Sequence, residues 1–130
     1  MLNATKTITV INAEVSAGNH VYHAATIEGV SFCKEAKTSV GSTGTTPVSR
    51  YIVRVPEERC KAYLPPADWR NCPDGHWTVQ PDCYVVCGKL TLGDTAILPQ
   101  DLDGFDFFVV SAWRDSRGLP LGHIRLEGSR

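Results

Sequence analysis

The chain has 130 residues, 42% hydrophobic and 21% charged, with 13 Lys and Arg against 14 Asp and Glu for a formal charge of -1. That is one domain's worth of chain, able to bury a single core without metals or disulfides, and no apolar run approaches the roughly 18 residues of a membrane helix. The balanced charge lacks the basic footprint of a duplex-DNA-binding domain, although a local basic patch is compatible with it, and Met1 to Lys6 shows no secretion signal, so an intracellular location is expected.

Thr5 to Val15 is rich in Thr, Ile and Val, with Ile8, Val10 and Asn12 alternating against Thr7, Thr9 and Ile11, which predicts a first strand with at least one buried face. Ser16-Ala17-Gly18-Asn19 is turn chemistry. It leads into Val21 to His23 and then Thr26 to Lys37, a second and longer strand whose alternation holds if Gly29 is a bulge. Thr38 to Pro47 is Ser, Gly and Thr rich, which predicts a mobile surface loop centred on Gly41, Ser42, Thr43 and Gly44. Val48 to Pro56 alternates again and stops at the proline.

Glu57 to Gly75 is a second long connection, broken by Pro65-Pro66, Pro73 and Asp74-Gly75. Short strands are predicted at His76 to Val79, Cys83 to Leu92 and Thr95 to Leu98, and Pro99 to Gly104 allows one helical turn at most. Phe105 to Arg114 reads as a central strand covered on both sides, turning at Ser116-Arg117-Gly118 into Leu121 to Glu127. With seven to nine short strands and no sustained helical period, residues 1–130 are expected to form a single all-β domain. The architecture is a small barrel or sandwich with two long loops and little helix.

The search for chemistry returns little. Cys33, Cys60, Cys72, Cys83 and Cys87 are an odd number without C-x-x-C spacing, so reduced thiols are favoured over a zinc site that would also draw on His76. His20 and His23 fall on opposite faces of a strand, and His123 opens the last strand as a packing residue. Gly41 to Thr46 lacks the Gly-Lys-Ser/Thr ending of a phosphate loop, and Asp101, Asp103 and Asp106 lack the terminal Glu of a calcium loop. No catalytic residue, metal ligand or cofactor site is therefore assigned, and an enzyme is not expected. A small nucleic-acid-binding barrel stacking bases on Tyr51, Tyr84 and Trp113 stays open, with the near-neutral charge against it.

Four stretches in order, Tyr22-His23-Ala24-Ala25-Thr26-Ile27-Glu28-Gly29-Val30-Ser31-Phe32, Tyr51-Ile52-Val53-Arg54-Val55-Pro56, Trp77 to Gly88 and Gly122 to Gly128, carry a resemblance. The chain resembles the small minor capsid or head-completion proteins of tailed phages and prophages of Gram-positive bacteria. It departs from them at Pro81-Asp82, where Gly-Asp is usual, and in the Cys- and Pro-rich stretch from Cys60 to Gly75. The resemblance implies a structural protein of the virion neck, made in the host cytoplasm. It would form a homo-oligomeric ring between portal or adaptor and tail proteins, most specifically a stopper, with passing contact with DNA and none with membrane. A tail-terminator-like neck component is the neighbouring alternative.

In that setting Gly41 to Gly44 would belong to a loop facing the channel. Tyr63 and Trp69, on the proline-stiffened segment Tyr63 to Trp69, either anchor a neighbouring subunit or cover the barrel. Arg54 and Arg59, with Arg50 and Arg70, are candidates to meet acidic portal surfaces or DNA phosphates.

Overall fold

The alternating first third builds a meander of β1 (Lys6–Ser16), β2 (Asn19–Gly41) and β3 (Gly44–Pro56) in the computed structural model. The structure describes residues 5–16, 19–41, 44–72, 75–81, 83–90, 102 and 104–129. β1 and β2 pair antiparallel from Ser16 opposite Asn19 down to Lys6 opposite Val30, with one register shift between Lys6 and Thr7. Thr7 faces Glu28 and Lys6 faces Val30, so Gly29 is left over as the bulge its position suggested, with φ of 73°. A Cβ there would lie 2.7 Å from Arg59 Nε, a flexible side-chain end that can move aside, so the demand for glycine is the conformational one.

Just past the bulge β2 changes partner. It pairs with β3 from Ser31 opposite Arg54 to Gly41 opposite Gly44. The expected loop at 38–47 is therefore wrong. Thr38 faces Pro47, Ser39 faces Thr46 and Val40 faces Thr45 in a two-stranded ribbon, while Ser42 and Thr43 lie outside the described residues. The β-branched residues Thr38, Val40, Thr45, Thr46 and Val48 favour extended backbone, and the Ser and Gly content obscured that preference.

Three shorter strands finish the sheet: β4 (Tyr84–Cys87), β5 (Phe107–Asp115) and β6 (His123–Ser129). Among the described residues six strands close in the order β1-β2-β3-β6-β5-β4, every neighbouring pair antiparallel. The count falls short of seven to nine for definite reasons. His76 to Val79 makes one parallel bridge, Trp77 to Tyr63, instead of a strand. β4 ends at Cys87 because Gly88 turns away at φ of 115°, and Thr9 Oγ1 takes over the ladder, donating to Gly88 O at 2.7 Å and accepting from Leu90 N at 3.0 Å. Thr95 to Leu98 and most of Pro99 to Gly104 lie outside the described residues.

The connection after β3 is irregular, as its prolines require: a 3-10 turn at Glu57–Arg59 and the single turn α1 (Pro66–Trp69). It supplies Cys60, Trp77, Val79 and Cys83 to a core that also holds Ile8, Val10, Ile27, Val30, Tyr51, Val53, Val55, Val85, Phe108, Val110, Ile124 and Leu126. A second cluster, Ile11, Val86, Leu102 and Phe107, covers the outside of β1 and β4. β5 is thus buried on both faces at Phe107 and Phe108, but Ser111 to Asp115 are exposed. Its pairing with β4 stops at Val109, so the expected two-sided burial holds only for its first part.

Candidate functional site

Alternation in β3 and β6 sends Val53, Val55, Ile124 and Leu126 inward, and the residues between them must point out. Register then sets Arg54 opposite Arg125 and Arg125 opposite Arg114, a row of three arginines across β3, β6 and β5. The next outward row holds Ile52, Glu127 and Ala112. Arg50 Nη2 donates to Glu127 Oε1 at 2.7 Å, and Arg125 Nη2 donates to the same oxygen. Partial burial pushes the Glu127 carboxyl up, but the hydrogen bond from Arg50 and the charge of Arg125 outweigh it and hold the group below the usual carboxylate range. Arg54 and Arg114 have no ion-pair partner among the described residues, and Arg125 Nε is buried without a hydrogen-bond partner.

The other arginines named from sequence do not join this row. The Arg59 guanidinium lies against Gly29, and Arg70 caps the exposed end of α1. Arg114 and Arg125 were missed. The triplets Val53-Arg54-Val55 and Ile124-Arg125-Leu126 were the available signal, since a charge between two buried aliphatics in a strand must face solvent.

Trp69 is not a partner anchor. It is fully buried, donates its indole N–H to His76 O at 3.3 Å and meets the His23 ring edge-on at 5.6 Å, so it covers the barrel of its own chain. Tyr63 is half-buried, edge-on to Trp77 at 5.0 Å and overlaid by the Arg117 guanidinium at 4.8 Å. Arg117 is in turn held by Asp115, whose carboxyl that hydrogen bond lowers. Tyr51 is not available for base stacking either. It is 1% exposed, stacks on Phe108 at 5.0 Å and donates its hydroxyl to Asp106 Oδ1 at 2.7 Å. Lys34 reaches the same carboxylate at 3.5 Å, while Trp113 is 42% exposed on the face opposite to Arg114.

The thiols are scattered. Cys60 and Cys83 are buried, whereas Cys33 and Cys72 are exposed, and among the described residues no three His, Cys, Asp or Glu side chains converge as metal ligands. Burial pushes the Cys60 thiol up to about 11, against the nearby Arg117, and its Sγ donates to Pro56 O at 3.3 Å. It is a protonated core residue and not a nucleophile.

These features define a small closed β-barrel module with one projecting ribbon and one arginine-lined face. The chain belongs to a family of unknown function (DUF6751), whose model matches residues 1–129. No curated protein and no solved structure matches it.

Proposed function

We propose that this chain is a non-catalytic structural protein of the phage neck, forming a homo-oligomeric ring between portal and tail that completes the head, in the manner of a stopper. The observation that carries the reading is the β2–β3 ribbon. β6 leaves β3 at Arg50, opposite Ser129, and among the described residues the ribbon continues from there to Gly44 without a third strand. At about 3.3 Å per residue it reaches roughly 20 Å past the barrel.

A ring subunit needs two such parts. A closed barrel repeats identical contacts without exposing sheet edges, and an extension can order against neighbours or narrow a central channel. Gly41 and Gly44 close the paired part of that ribbon, so the channel-facing role expected of a loop passes to a stiffer element. The partners are the portal or adaptor below and the tail proteins above, and the protein resides in the virion after assembly in host cytoplasm.

Light scattering tests the reading. The mass of the purified chain is measured alone and after mixing with the portal protein encoded beside it, and a defined high-order complex on the portal is expected. A mass indifferent to the portal would overturn the assignment.

A further inference from the structure

Like charges set directly opposite one another across strands destabilise a sheet, and adjacent strands lie only about 4.8 Å apart. Arg54, Arg125 and Arg114 occupy such a row on three neighbouring strands. Glu127 is shared between Arg50 and Arg125, and Glu35 stands opposite Arg50 on β2, so four guanidiniums meet two acids among the described residues. The face therefore carries a surplus of about two positive charges, centred on Arg54, Arg125 and Arg114, in a chain whose net charge is -1. Nothing in the fold requires that placement, since the row lies outside the core.

We propose that the outer face of β3, β6 and β5 binds a nucleic-acid backbone, with Arg54, Arg125 and Arg114 holding neighbouring phosphates. Guanidinium is the group suited to this, because its fork meets a phosphate with two hydrogen bonds and is weakly hydrated. A nucleic-acid strand brings anions at a spacing fixed by its covalent backbone. An acidic protein surface would first have to bear the mutual repulsion of its own carboxylates at the same spacing. The contact reads charge and not base identity. The near-neutral whole chain adds no long-range attraction, so one copy binds weakly, and several copies on one nucleic acid would multiply the effect.

Fluorescence anisotropy of a short labelled duplex of arbitrary sequence, titrated with the full chain, tests this without requiring a ring. A chain that fails to assemble on a portal can still bind, and one that assembles can still fail here. Three phosphate contacts give a slope of about -2.7 in log affinity against log salt, which is an approximately 40-fold loss between about 50 and 200 mM. The double variant Arg54→Gln/Arg114→Gln should keep its thermal stability and cut that loss to about 3- to 4-fold, each arginine removing about one unit of slope. Arg70→Gln, just past α1, should leave binding unchanged. Absence of binding at low salt, or an unaltered slope in the double variant, would overturn the proposal. So would stronger displacement by poly-L-glutamate than by unlabelled duplex, which would assign the face to an acidic protein.

Discussion

The side-chain amide of Asn12 hydrogen-bonds both backbone groups of Thr78, donating to the carbonyl at 2.8 Å and accepting from the N–H at 3.0 Å. Both residues are fully buried, so the amide acts as a one-residue strand partner and pins the 76–79 segment to the middle of β1. Asn12→Ala leaves a buried donor and a buried acceptor unpaired and should cost about 2–4 kcal/mol in urea unfolding. A loss below about 1 kcal/mol would show that the segment is held by Trp77 and Val79 alone.

Gly128 should tolerate no side chain. A Cβ there would stand 2.0 Å from Val109 O and 2.5 Å from Phe108 Cδ2, between β3 and β5 where the barrel closes. Gly128→Ala must separate β6 from β5 or displace the Phe108 ring from Tyr51, at an expected cost of about 3 kcal/mol or more. Gly118→Ala is the contrast, since a Cβ there meets nothing within 4 Å and only its φ of 88° is strained. Thermal melts of the pair should differ clearly.

Thiol titration should resolve the cysteines by burial. Cys33 and Cys72 are exposed and should react with Ellman's reagent in the native protein, while Cys60 and Cys83 should wait for unfolding. Fast native labelling of either buried thiol, read by mass spectrometry of peptides, would contradict the packing described.

Stability should fall at alkaline pH. Burial raises the Cys60 thiol from 9.0 to about 11, and the Tyr51 and Tyr63 phenols are also raised, chiefly by burial. Each is neutral when protonated, so the native state holds these protons more tightly than the unfolded chain. Their contribution is complete below about pH 9 and is lost as pH climbs through about 11. Urea midpoints measured across that window should drop, and Cys60→Ala should flatten part of the slope, on the order of 1 kcal/mol after allowance for solvent screening.

How far the sequence was legible follows from which signals are local. Alternation at Ile8 to Asn12 and Tyr51 to Val55, and the bulge at Gly29, are written in adjacent residues and were readable. The ribbon was not, because glycine and serine mark both loops and exposed strands, and only pairing between residues 36–41 and 44–49 separates the two. The arginine row was hidden for a different reason. Arg54, Arg114 and Arg125 are far apart in the chain and meet only through the registers of β3, β6 and β5. Trp69 could have gone either way until the connection folded back over His23 and His76.

β2 runs as one strand from Asn19 to Gly41, paired first with all eleven residues of β1 and then with β3. A pull on the ribbon along the strand is therefore carried into the barrel as shear. Antiparallel hydrogen bonds lie perpendicular to the strands, so those joining β1 to β2 bear such a load together and not one after another. The extension and the barrel make a single mechanical piece along the strand direction.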